Sequence, residues 1–317
     1  MVQQEKVNDS IFKELIKRGY SLDGKTRIWN IADSKLWYLT PAQAQAYLDL
    51  ESNKDYQKDV IEVEVDLIKK NIHSVLKNFS EDEPFNILDL GCGDGKKAIL
   101  FINALREYDK IRYCPVDISS YMVEKAIKNI GDLKVGEVVE FQWNISDFEN
   151  IENITNILRS GKYQKNLILL LGNTLGNFEI NELLYEIRSS MKDGDVIVIG
   201  NGLDNRHPEE IIKSYTSPEV NNFLKHIPLQ LGLNEKDVEF GTRFVNSRVE
   251  LYYTIKVDKV IKLYGKEIRF NKGDQIVVAL SYKYSKDDFM SFMKMYFNKV
   301  EVFTSKDNSY ALAVCKK

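Results

Sequence analysis

ILDLGCGDGKK, residues 87–97, is the stretch that decides how this chain folds. Its apolar run of Ile87, Leu88 and Leu90 is broken only by Asp89, and three glycines then fall at alternate positions, Gly91, Gly93 and Gly95. A helical pattern follows from Lys97 to Leu105. A buried strand, a tight glycine turn and a helix form the βα unit that sets a nucleotide at a helix N-terminus. Glycine serves there because the turn needs positive φ and because a ligand must approach the backbone closely. The spacing narrows the nucleotide. A dinucleotide fingerprint G-x-G-x-x-G needs its third glycine at position 96, and Lys96 stands there. Lys96 and Lys97 fit no G-x-x-x-x-G-K-[ST] frame either. They read as a solvated helix start, with Lys97 near enough to the loop to count among its cofactor contacts.

The 317 residues suffice for one large or two ordinary domains, and 44% hydrophobic with 29% charged residues is ordinary for a soluble globular protein. A net charge of -3 leaves no electrostatic footprint for nucleic acid. Cys92, Cys114 and Cys315 lie far apart without C-x-x-C spacing, which argues against a disulfide framework or a zinc site and fits a reducing compartment. The opening MVQQEKVNDS lacks an apolar signal core, and no run approaches the ~18 apolar residues of a membrane span. The expectation is a cytoplasmic protein with no metal, no membrane and no nucleic-acid partner, and a monomer is favoured.

Working outward, residues 10–19 form a short helix stopped by Gly19, and Thr40-Pro41 opens a second over 41–50. A longer helix spans about 57–78, with Ile61, Val65, Ile68, Ile72, Val75 and Phe79 on one face. From Ile87 strands and helices alternate: strands 87–90, 111–117, 138–143, 167–171 and 195–199, with helices 96–107, 121–130 and 180–191 between them. Ser119 or Ser120 caps the second of these helices. That rhythm predicts an α/β fold with a doubly wound, mostly parallel sheet. After 200 it is lost: a helical stretch 208–232 precedes β-rich sequence at 247–263 and 267–284, with a turn at 271–274. A helix over 286–296 and strands 298–304 and 309–315 close the chain. The 201–281 block reads as an insertion that joins residues 1–58 in a second α+β substrate domain. The first domain is then 59–200 with 282–317. Ligand clefts favour domain junctions and the carboxyl ends of such strands.

Three stretches carry candidate chemistry. Asp117 ends the second strand 26 residues after Gly91, near the ~20-residue spacing at which an acid meets a ribose diol. An ionised carboxylate accepts two O–H donors at once, although an acid there also caps turns. Asp147, after the third strand, offers an acceptor for an adenine amino group beside the Phe148 ring, and loop acids before aromatics are common. Asp89 is surrounded by apolar residues, which is costly unless it is paired, so it organises the glycine loop or meets an amino group through it. The fourth strand runs into Gly172-Asn173-Thr174-Leu175-Gly176-Asn177-Phe178. Gly172 and Asn173 sit on the cofactor side of that loop. An asparagine amide donates to a carboxylate and accepts from an amine, so Asn177 is a candidate for holding an amino-acid head group. Both asparagines also tolerate left-handed turns. His73, His207 and His226 form no H-x-x-x-H or acid–histidine pair and read as structural or surface residues.

The acid-x-G-x-G-x-G run Asp89–Gly95 resembles motif I of S-adenosylmethionine-dependent methyltransferases. With LDLGCGDGKKAILFINAL, YCPVDIS, Asp147-Phe148, LLGNTLGNFE and GDQIVVALSYKY in order, the chain resembles the amino-acid Nα-methyltransferases typified by the histidine-specific enzyme of ergothioneine biosynthesis. The resemblance is good over 85–200 and moderate over 240–317. It implies S-adenosyl-L-methionine as cofactor, a seven-stranded sheet, and a second domain covering the cofactor cleft. It further implies that Asn177 and Tyr56 bind the substrate's amino and carboxylate groups as the catalytic pair, with Tyr215 and Ser281 on the substrate side. One position departs. The family pattern G-E-x-x-x-T-E-x-S-x-K-[FY] has a second Glu that reads the imidazole; Ser281, Lys283 and Tyr284 match here, but Ala279 stands at that Glu. A buried imidazole N–H without its acceptor loses about 1–3 kcal/mol. The function expected is methyl transfer to the amino group of a free amino acid or related small amine, with histidine itself doubtful. The competing readings are a nicotinamide-dependent oxidoreductase, which the missing third glycine and the lack of a Tyr-x-x-x-Lys disfavour, and a non-catalytic cofactor-binding protein.

Overall fold

The computed structural model describes residues 7–53, 61–80, 83–104, 108–204 and 207–317. The chain divides into two compact units, Met1–Asn53 with Arg206–Tyr282, and Lys54–Asn205 with Lys283–Lys317.

The unit that carries the glycine turn is built on a seven-stranded sheet. Its strand order is Lys299–Thr304, Tyr310–Lys316, Val196–Gly202, Lys165–Leu170, Phe85–Leu90, Ile111–Val116 and Glu137–Val138. The five strands from Val196–Gly202 onward are parallel, and Tyr310–Lys316 and Lys299–Thr304 add antiparallel to that edge. Every residue of Phe85–Leu90 is buried, as expected of a central strand covered on both faces. Asn86 fits there because its amide donates to the Leu158 and Lys165 carbonyls and to Asn166 Oδ1. From Phe85–Leu90 the chain winds one way across the sheet, then returns at Lys165–Leu170 and winds the other way. These two strands are neighbours, so the topological switch point lies between them and brings the Gly91 turn beside the loop that begins at Gly172. The helix Glu62–Leu76 packs its Leu67, Ile68, Ile72 and Val75 on the core that Tyr310, Leu312 and Val314 share.

The expected strand at 138–143 is a correction. Only Glu137–Val138 pairs with Arg112 and Tyr113, and Gln142–Asn144 forms a 3-10 turn. The buried Asn144 amide takes over the ladder, donating to the Pro115 and Val139 carbonyls while its Oδ1 accepts from the Phe141 N–H. An edge strand has one neighbour to hold it, and side-chain hydrogen bonds of this kind displace it.

The other unit holds a five-stranded sheet in the order Ser21–Asp23, Thr26–Asn30, Gln275–Tyr282, Arg248–Ile255 and Val238–Val245, and a separate hairpin of Lys259–Leu263 with Lys266–Phe270. Asn8 and Thr40 cap the helices Asp9–Arg18 and Pro41–Glu51 through their side chains. The sequence reading passed over the two short N-terminal strands and Val238–Val245, and the helical stretch expected over 208–232 consists of three short helices. Pro208 and Pro218 each start a new helix, because proline fits the first helical position and disrupts an interior one.

Candidate active site

The glycine turn is held from below by the second strand. The Gly91 and Cys92 N–H groups donate to the Val116 carbonyl at 2.8 and 3.2 Å, and the Gly93 N–H donates to Asp117 Oδ2 at 3.1 Å. Asp117 Oδ1 accepts from the Ser119 N–H at 3.0 Å, while Ser119 caps the helix Ser120–Gly131. One carboxylate therefore ties the turn to the next helix and, with the Ile118 amide also directed at it, retains part of its acceptor capacity for other donors. Burial pushes its pKa up to about 6, against the pull of the Ser119 and Gly93 amides. Asp89 lies buried beneath the turn and accepts from the Tyr113 hydroxyl at 2.8 Å. Burial raises it to about 7, opposed by that hydrogen bond and by the Lys97 ammonium.

The three glycines do different work. Gly91, Gly93 and Gly95 all have positive φ, at +66°, +52° and +78°. A Cβ on Gly95 would lie 3.2 Å from Ala126 and 3.3 Å from the Tyr113 hydroxyl, so this glycine admits the neighbouring helix. A Cβ on Gly93 would meet nothing within 4 Å. Gly93 is the glycine that faces open space. A Cβ on Gly91 would lie 3.1 Å from Thr174 Oγ1, which is how closely the turn and the 172–178 loop approach one another.

That loop is fixed at its start. The Gly172 N–H donates to Glu64 Oε1 at 2.8 Å, and Asn173, at φ +62°, accepts from the Gly202 N–H through its Oδ1. The Asn173 side chain is thus engaged in holding the loop on the adjacent strand. Asn177 ends the 3-10 turn Thr174–Asn177, half-buried, and its amide makes no hydrogen bond among the described residues. Phe148 stands 5.0 Å from Phe178, ring centre to ring centre, joining the loop after the third strand to the residue that follows Asn177. Asp147 beside it is exposed.

The solvated start expected for the helix Lys96–Asn103 holds for only one of its lysines. Lys96 pairs with Asp94 and is 76% exposed, whereas Lys97 is 21% exposed and pairs with the fully buried Glu64 at 3.0 Å. Glu64, Tyr113 and Phe178 were missed. For Glu64 the signal was present: it lies four residues before Ile68 and eight before Ile72, a carboxylate on the apolar face of its helix.

In the other unit, the Tyr215 hydroxyl and Ser281 Oγ are 2.9 Å apart. Ala279 shares their strand, Gln275–Tyr282, is 4% exposed, and pairs across the sheet with Leu251, while Ser281 pairs with Val249. Its cross-strand partner is thus apolar. Tyr56 lies outside the described residues. Among the described residues no cluster of His, Cys, Asp and Glu has the grouping of a metal site, and no helix is long and apolar enough to cross a membrane.

A mostly parallel sheet with a glycine turn at its switch point, an acid closing the next strand and an antiparallel pair at the far edge defines the class of doubly wound α/β nucleotide-binding folds. Within that class the chain belongs to one family: residues 53–317 match the model described as histidine-specific methyltransferase, SAM-dependent. Ergothioneine biosynthesis protein 1 of Schizosaccharomyces pombe is 23% identical over 176 residues, which are 54% of this chain and 22% of that protein. The chain thus spans about a fifth of the curated relative's length. Among solved structures, an S-adenosylmethionine-dependent methyltransferase from Clostridium acetobutylicum is 13% identical with a TM-score of 0.45, covering 86% of this chain and 98% of that one. The S-adenosylmethionine-bound amino pentose methyltransferase CalS10 of Micromonospora echinaspora is 9% identical with a TM-score of 0.37, covering 80% and 90%.

Proposed function

We propose that this chain methylates the amino nitrogen of a free amino acid or related small amine. The observation that carries this reading is Asn177, whose half-buried amide has no hydrogen bond among the described residues and ends the loop packed against the glycine turn. The residues present fit the cofactor: Gly93 fronts open space where a side chain would intrude, and Asp117 retains acceptor capacity for a ribose diol. Asp89, Gly91, Gly93, Gly95, Lys97, Asp117, Asp147, Phe148, Gly172 and Asn173 make up the proposed cofactor region. Within it Asn173 and Gly95 act by shaping the backbone.

When bound, S-adenosylmethionine supplies a methyl group activated by its sulfonium, so the chain need only align an amine and exclude water. Asn177 Oδ1 accepts an N–H of the amine and leaves the lone pair of the neutral form facing the reacting carbon, the proton of the ammonium form passing to solvent before attack. Tyr56 shares the head group on the strength of the family resemblance. Tyr215 and Ser281 offer paired hydroxyls to the substrate. With Ala279 buried opposite Leu251, the favoured side chain is one that needs no acceptor there, less polar than imidazole.

Calorimetry tests the cofactor half. S-adenosylhomocysteine binds with a Kd on the order of micromolar and NAD gives no heat; the reverse pattern overturns the reading. Replacing Asn177 by Ala abolishes turnover and leaves S-adenosylhomocysteine affinity nearly unchanged. If that variant loses cofactor binding instead, Asn177 belongs to the cofactor.

A further inference from the structure

The buried carboxylate of Glu64 joins three parts of the sheet unit that are remote in sequence. Glu64 is fully buried in the first turn of Glu62–Leu76, and its Oε1 accepts from the Gly172 N–H at 2.8 Å and from the Tyr310 hydroxyl at 2.6 Å. Its buried Oε2 faces the Lys97 ammonium at 3.0 Å, an ion pair without the alignment of a hydrogen bond. Two glycines make room for the pair. A Cβ on Gly200 would collide with Glu64 Oε1, and one on Gly172 would come within 2.6 Å of Lys97 Nζ. A buried ion pair is by itself weak evidence of a stabilising role. Its position gives it another use, because it reaches the glycine-turn helix through Lys97 and the Asn177 loop through Gly172.

We infer that Glu64 is a positioning residue that holds the Lys97 ammonium at the cofactor side of the turn and fixes the start of the loop carrying Asn177. The inference rests on the cofactor region proposed above. Glu64 touches neither cofactor nor substrate; its effect on cofactor affinity acts through Lys97. The isosteric variant Glu64→Gln keeps an oxygen for Gly172 and Tyr310 but turns an amide donor toward the ammonium, so Lys97 loses its place.

A double-mutant cycle read by S-adenosylhomocysteine calorimetry tests this. Glu64→Gln weakens binding on the order of tenfold, the size of one lost charge-assisted contact, and Lys97→Met does the same. The double variant is no weaker than the weaker single one. In ligand-free protein Glu64→Gln lowers Tm, and adding Lys97→Met recovers part of the loss by removing the ammonium that faces the new amide donor. Tyr310→Phe, which removes a Glu64 hydrogen bond without touching Lys97, lowers Tm and leaves affinity unchanged; a purely structural Glu64 would instead make affinity follow Tm in all variants. Should Lys97→Met alone fail to fold around an unpaired carboxylate, Glu64→Gln and the double variant still decide. Unchanged affinity in Glu64→Gln, or a double variant markedly weaker than every single variant that folds, overturns the inference. Wild-type protein that binds no S-adenosylhomocysteine overturns the cofactor reading instead.

Discussion

Two carboxylates of the proposed cofactor region lie under the glycine turn, and binding is expected to depend on pH through them. Asp117 and Asp89 are raised by burial to about 6 and about 7. A protonated Asp117 loses acceptor capacity and gains a donor, so it no longer serves a diol. S-adenosylhomocysteine affinity therefore rises as pH climbs from 5 through 7, and in Asp117→Asn it is weakened about tenfold or more and the part of the pH dependence near 6 disappears. Flat affinity over that range in the wild-type protein contradicts the role. The linkage to folding has the opposite sign in the ligand-free chain. A raised carboxyl pKa means that the native state holds its proton more tightly than the unfolded chain does. These two groups thus favour the fold most below the ordinary carboxyl value of 3.8, and that contribution declines as pH rises from there and is lost above about 6 and about 7.

Among the elements, the parallel strands were legible because each central one is buried on both faces and so reads as an unbroken apolar run. Helix starts at Thr40 and Ser119 were legible because capping is local. What escaped depends on remote partners. The strand at 138–143 was lost to one asparagine whose acceptors include a carbonyl 29 residues away. Glu64 gave only the signal of a charge on an apolar face, since its hydrogen-bond partners lie 108 and 246 residues along the chain. The spelling of the glycine turn identified the element without dividing the labour among its glycines; the geometry does divide it. Gly93→Ala costs about 1 kcal/mol in backbone strain and sharply reduces S-adenosylhomocysteine affinity. Gly95→Ala adds a clash with Ala126 and Tyr113 and loses more stability. Urea unfolding and calorimetry on the two variants separate these outcomes, and equal behaviour would contradict the assignment.

At the scale of the molecule, every cofactor residue proposed lies in the unit with the seven-stranded sheet, while Tyr215, Ala279 and Ser281 lie in the other. Function should divide the same way. Tyr215→Phe and Ser281→Ala each leave S-adenosylhomocysteine affinity within a factor of about two, because no cofactor hydrogen bond is lost, and each raises the substrate KM. A loss of cofactor affinity in either variant contradicts that division. The substrate itself was only partly legible, because Ala279, at the proposed substrate side, removes an acceptor of the family pattern without naming what replaces it. The central claim, methyl transfer to an amino acid's nitrogen, is tested most directly by incubating the protein with methyl-labelled S-adenosylmethionine and a pool of free amino acids, read by mass spectrometry. The account predicts a labelled amino acid carrying the methyl on its amino nitrogen, formed from a less polar side chain in preference to histidine. Label on no amino acid, from protein that binds S-adenosylhomocysteine well, would contradict it.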